Sequence, residues 1–177
     1  MIKFYIEPGY DVKKPERDYG NAGIDFFIPT MNPVFAEAFE SKNDPENAYL
    51  VYDDHDGSWI IRIPAHGRVN IPSGVRSYID PNVALEAQNK SGIATKRGLV
   101  YGAATVDANY QGIIHISLIN TTADVIDLAL GSKVVQFIPR IIDPSAIKVV
   151  TEGTVEEFYT GFSFNNRGEG AFGSTGI

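Results

Sequence analysis

Short runs of alternating or wholly apolar residues, each stopped by glycine, proline, asparagine or aspartate, recur along this chain. That pattern predicts strands joined by turns rather than helices. Residues 2–6 (IKFYI) form the first such run, and a polar loop over 7–20 leads to NAGIDFFIP, where Asp25 stands at a strand entrance. The period then changes. Asn32 before Pro33 is a helix-start signal, and Val34, Phe35, Ala38 and Phe39 share one face at helical spacing, so a helix is predicted over 33–41, ending before Asn43-Asp44-Pro45. AYLVY and SWIIRIP flank Asp53-Asp54-His55-Asp56-Gly57. These letters suit a solvated hairpin turn better than a metal loop, because consecutive turn residues cannot all point at one ion. RVNIPSGVRSYI and VALEAQ continue the strands, and the runs at 99–103 and 113–119 read as a strand pair joined by a tight corner at Asp-Ala-Asn-Tyr-Gln-Gly. GSKVVQFIPRII is a further strand, and IKVV at 147–150 is expected to close the core.

The 177 residues suit one domain, predicted at 1–150, followed by an arm at 151–177 where apolar density falls. Residues 31–59 read as a surface helix and hairpin. Seventeen glycines, ten prolines and many β-branched and aromatic residues fit an all-β class. With 22 acidic against 15 basic residues the net charge is −7, which argues against stable nucleic-acid binding, since basic patches provide most of that affinity. No apolar run reaches the roughly eighteen residues of a membrane span, and there is no cysteine for disulfides or thiolate metal sites. A soluble, cytoplasmic protein is the expectation.

Candidate chemistry gathers in a few places. Asp107, Tyr110 and Gly112 lie in one turn, where a carboxylate on a rigid support suits catalysis and an Asx turn with a packing tyrosine explains the same letters. Lys90, Ser91, Gly92, Lys96 and Arg97 surround a probable helix start, which favours anions but also fits a solvated basic turn. Gln136 sits on an otherwise apolar strand and either ties two backbones together or waits for a ligand. Arg167 and Phe172 lie among the glycines near the end, as in an arm that grips phosphate and covers an aromatic base.

Taken in order, AGID (22–25), KSGIATKRG (90–98), ATVDANYQG (104–112), GSKVVQ (131–136) and RGEGAFGSTG (167–176) resemble the five motifs of the trimeric dUTPases. The resemblance implies a distorted jelly-roll-like β-barrel with a glycine-rich C-terminal arm. It implies a homotrimer with shared active sites that hydrolyses dUTP to dUMP and pyrophosphate. That activity limits uracil in DNA and supplies dUMP for dTMP synthesis. By the same resemblance Asp107 is the catalytic aspartate, activating water for attack on the α-phosphorus. Tyr110 lies under the deoxyribose and excludes a 2′-hydroxyl. Backbone around Ala103, Ala104, Thr105 and Val106 reads uracil. Lys90, Ser91, Gly92, Gln136 and Arg167 bind phosphate, Phe172 covers the base, and Gly173 and Ser174 complete the substrate contacts. Asp25 holds Mg²⁺ through water.

Four positions depart from the family pattern: Lys90 and Lys133 stand for arginines, Ala104 and Ala171 for glycines. Lysine keeps the charge but loses the planar bidentate fork, and a methyl at Ala104 bears on base selectivity. The segment 31–59 exceeds the minimal family domain, and whether a protein partner uses it is open. A related dCTP deaminase would need a glutamate where this chain has Ser117. The same motifs would also suit a pyrimidine triphosphatase of altered base specificity, or a nucleotide-binding regulator of the same fold.

Overall fold

Alternation of buried and exposed residues places twelve strands, and the computed structural model, which describes residues 1–143, 145 and 147–160, pairs all of them antiparallel. β1 (Ile2–Ile6) pairs with β6 (Val75–Ile79). A second sheet runs β5 (Arg68–Pro72), β10 (His115–Asn120), β8 (Leu99–Tyr101), and a third runs β11 (Ile126–Ala129), β4 (Ser58–Ile63), β3 (Tyr49–Asp53). The fourth runs β2 (Ile24–Phe27), β12 (Lys133–Ile141), β7 (Val83–Asn89), β9 (Thr105–Val106). Small sheets enclosing one apolar interior make the all-β, jelly-roll-like form expected of the sequence. Phe26 and Phe137 meet at its centre, 4.7 Å between rings.

The expected helix is present as α1 (Pro33–Glu40). Asn32 caps it, its Oδ1 accepting from Phe35 N at 2.9 Å, and Pro33 occupies the first turn where its missing N–H costs nothing. The helix is not merely superficial. Phe35 and Phe39 are buried in the core, each contributing about 1.5–3 kcal/mol of burial. The acidic turn 53–57 joins β3 to β4 as a hairpin, and no cluster of three metal-ligating side chains occurs among the described residues.

Two further expectations are corrected. The 99–119 segment is not a strand pair closed by a tight corner. β8 does pair with β10, but between them β9 leaves for another sheet and pairs with β7. The turn at 107–110, closed by Tyr110 N on Asp107 O at 3.1 Å, follows β9. Local patterning gives strand character but not the distant partner a strand selects. The second correction concerns IKVV, where Ile147, Val149 and Val150 are exposed. A short apolar run does not state what buries it. The chain divides into two compact units, Met1–Ile142, which holds the core, and a second beginning at Asp143. A further helix of the first unit, α2 (Ser91–Arg97), follows β7 directly. In the second unit the one-turn helix α3 (Val155–Phe158) opens with a capping box between Thr154 and Glu157.

Candidate active site

Asp25 lies in β2, and β2 is buried on both faces from Asp25 to Phe27, so its carboxylate is taken from water and needs partners. It has two. Lys90 Nζ lies 2.5 Å from Oδ1 and Lys133 Nζ 2.8 Å from Oδ2. Lys133 comes from β12, hydrogen-bonded beside β2, and Lys90 is the residue at which β7 gives way to α2. Burial pushes the Asp25 carboxyl up, but the hydrogen bonds and charges of Lys133 and Lys90 outweigh it and hold it below the ordinary carboxylate value. The hydrogen bond to Asp25, and then its charge, correspondingly raise Lys133.

α2 begins immediately after Lys90 without a side-chain cap, and Ser91 and Gly92 are exposed at its start. It stops at Gly98, whose φ of 67° is a left-handed conformation that glycine adopts without a Cβ penalty. Gln136 pairs with Asp25 across β12 and β2, and its Nε2 donates to Asn89 O at 3.2 Å. A Cβ at Gly23 would meet Gln136 Cδ at 2.8 Å, so glycine there lets the carboxamide lie against the backbone. Of the two sequence readings of Gln136, the tie between backbones is realised. Its Oε1 still faces the Gly23 side, beside the Asp25 cluster.

The second half of the site is the crossing from β8 to β9. Gly102 N still bonds Ser117 O at 2.9 Å in the sheet of β10, whereas Ala104 O already accepts from Ala87 N at 2.6 Å in the sheet of β7. Ala103 therefore bridges a gap between two sheets. A cavity of about 240 Å³ occupies that gap, lined by residues 103–107 and Tyr110, with Asn70, Ile114, His115 and Phe137 behind them. Asp107 is exposed at its mouth, and among the described residues no hydrogen bond or ion pair engages its carboxylate. Tyr110 folds back over Gly112 and donates to Ile113 O at 2.9 Å. A Cβ at Gly112 would sit 2.6 Å from Tyr110 Cζ, which fixes why glycine follows the tyrosine here.

The structure thus gathers Asp25, Lys90, Ser91, Gly92 and Gln136 in one region and Ala103, Ala104, Thr105, Val106, Asp107 and Tyr110 in another, and the cavity lining includes none of the first group. Arg167, Phe172, Gly173 and Ser174 lie outside the described residues. Several participants carried no local signal. Asn70 and His115 read as ordinary outward positions of two strands, and Asn89, whose Oδ1 accepts from Tyr101 N at 2.8 Å, as the end of another. Burial pushes the His115 imidazole below its ordinary value of 6.5, against a hydrogen bond to Ile113 O, and the Lys42 charge adds to the fall.

The described residues thus form an antiparallel, jelly-roll-like barrel that carries an unengaged carboxylate over a small cleft and, apart from it, an ion-paired cluster of Lys90, Asp25 and Lys133. A family model described as dUTPase matches residues 60–176. The deoxyuridine 5′-triphosphate nucleotidohydrolase of Yarrowia lipolytica is 34% identical over 116 residues, covering 65% of this chain and 69% of that protein. In structure, a variant of the Staphylococcus bacteriophage 80alpha dUTPase with dUpNHpp superposes with a TM-score of 0.69 at 17% identity, covering 100% of this chain and 99% of that one. A dUTPase of phage phi11 of S. aureus, described with a structural Mg(II) ion, has a TM-score of 0.63 at 16% identity, covering 86% and 98%. The chain belongs to the dUTPase family.

Proposed function

We propose that this chain hydrolyses dUTP to dUMP and pyrophosphate, with the nucleoside held at the 103–107 cavity and the triphosphate at the cation cluster. The observation that carries this reading is the unengaged Asp107 carboxylate at the mouth of that cavity, in a member of the dUTPase family.

Asp107 orients a water toward the α-phosphorus and takes its proton as the new P–O bond forms and the bond to pyrophosphate breaks. Tyr110, held by Ile113 and Gly112, lies beneath the sugar and leaves no room for a 2′-hydroxyl, a discrimination by exclusion. Main-chain groups of Ala103 to Val106 meet the base edge. The exposed start of α2 at Ser91 and Gly92, with Gln136, faces phosphate oxygens. Lys90 can keep Asp25 and still offer phosphate a proton, because an ammonium has three donors.

By the family resemblance, a complete site is made by joining regions of different copies in a homotrimer. In that assembly the unit Met1–Ile142 forms the barrel and residues 151–177 an arm that closes a neighbour's site, bringing Arg167, Gly173 and Ser174 to phosphate and Phe172 over the base.

Asp25 is a single carboxylate whose two oxygens Lys90 and Lys133 already hold, so it would not ligate a divalent ion directly; a lone pair left on either oxygen would accept from a water on an Mg²⁺ that the triphosphate chelates. When bound, Mg²⁺ neutralises charge on the phosphates. No helix among the described residues is long and apolar enough to cross a membrane, and we assign the activity to the cytoplasm.

The test is pyrophosphate release from dUTP, dCTP, dTTP and UTP in parallel, with Asp107→Asn as control. Preference for dUTP is expected, and no release from any of the four overturns the reading.

A further inference from the structure

The segment after α1 touches the nucleoside cavity through one strand edge. β5 is an edge strand of its sheet, with β10 on one side only, so the outward N–H and C=O of Asn70 have no strand to pair with. Asn43 supplies both partners. Its Oδ1 accepts from Asn70 N at 2.7 Å and its Nδ2 donates to Asn70 O at 3.0 Å, as a neighbouring peptide group would. The same Nδ2 donates to Phe39 O at 2.8 Å, tying this loop to the end of α1, whose Phe39 is buried in the core.

What this pins is a partition. Asn70 lines the 240 Å³ nucleoside cavity together with His115, and it also lines a second cavity of about 260 Å³ bounded by Lys42, Asn43, Arg68 and Ser117. Ser117 is the register partner of Asn70, and His115 stands two residues before it on the same face of β10. Asn70 and His115 thus line the cavity together with the 103–107 segment, and Asn70 borders the second cavity as well.

We propose that the 31–59 segment sets the depth of the nucleoside cavity: Asn43 is a positioning residue that fixes Asn70 as the wall between the two cavities, and Asn70 and His115 are specificity-determining residues that stop the far edge of the pyrimidine. This rests on the nucleoside occupying the 103–107 cavity, and it gives the segment a part in base selection. With the Asn43 bonds intact, a substituent added to the ring meets a fixed wall. Without them, the Asn70 main chain is free to move into the second cavity and the wall gives way. A pocket distinguishes one methyl by about ten- to two-hundred-fold when its walls are rigid, and less when they yield.

The experiment measures kcat and KM for dUTP and dTTP, with Mg²⁺, on wild-type protein and on Asn43→Ala, Asn43→Asp and His115→Ala, each checked for folding by thermal melting. Asn43→Ala is expected to raise KM for dUTP more than it lowers kcat, and to reduce the dUTP-to-dTTP ratio of kcat/KM about tenfold. Asn43→Asp, which keeps the acceptor for Asn70 N, should fall between. His115→Ala should reduce the same ratio without the loss of melting temperature that Asn43→Ala shows, and it decides the matter if Asn43→Ala fails to fold. Wild-type ratios in folded Asn43→Ala and His115→Ala overturn the inference while leaving the proposed function intact. A wild-type protein silent on dUTP overturns both.

Discussion

Lys133 reaches Oδ2 of Asp25 from the strand beside it, 2.8 Å away, and closes the side of the carboxylate that Lys90 leaves open. Where the family resemblance places arginines, two lysines divide one buried acid between them. A guanidinium would take both oxygens in a single fork, whereas two point charges each hold one oxygen and fix the carboxylate plane together.

Asp25→Asn removes the charge that both ammonium groups face. It should lower kcat/KM by about 10–100-fold and shift the Mg²⁺ concentration for half-maximal activity upward. A Mg²⁺ titration of pyrophosphate release checks this, and an unchanged midpoint takes Asp25 out of ion binding.

Asp107→Asn keeps the shape of the cavity mouth but cannot accept a proton from water. Turnover should fall by about 10²–10⁴-fold, with binding of a non-hydrolysable dUTP analogue, followed by calorimetry, retained within a few-fold. Parallel loss of both would make Asp107 a binding group alone.

Gly112→Ala places a methyl in the space of the Tyr110 ring, 2.6 Å from Cζ. The ring must swing away from Ile113 O, and the preference for dUTP over UTP should drop about tenfold. Retention of that preference would mean that another group senses the sugar.

His115 gives stability a dependence on pH. Its folded pKa lies below 6.5, burial being the largest cause, so between the folded value and 6.5 the unfolded chain binds more protons than the folded one. The associated stability is present above 6.5 and is lost as pH falls through the folded value. Urea unfolding at a series of pH values just below 6.5 should show a slope in the wild type that His115→Gln flattens.

Phe35→Ala should cost about 3–5 kcal/mol in chemical denaturation, because the ring is fully buried in the core. Glu37→Ala, on the exposed face of the same helix, should stay within about 0.5 kcal/mol. Similar small losses for both would mean that α1 is dispensable to the core.

Features that rest on local chemistry could be read from the order of residues alone. The helix at α1 was legible from Asn32, Pro33 and the Phe35/Phe39 spacing, because capping and face formation act over a few residues. The hairpin at 53–58, the strand class and the order of the five motifs were legible for the same reason. Which strands meet emerged only on folding. β8 and β9 differ little in pattern yet join different sheets, and the cavity exists because Ala103 spans that division. Asn43 reads as a helix-ending residue, and only the folded chain brings it to Asn70, 27 positions further on. Lys90 and Lys133 reach Asp25 across separations of the same non-local kind. Patterning sets what each segment can be, whereas partners distant in sequence are chosen by the packing of the whole core.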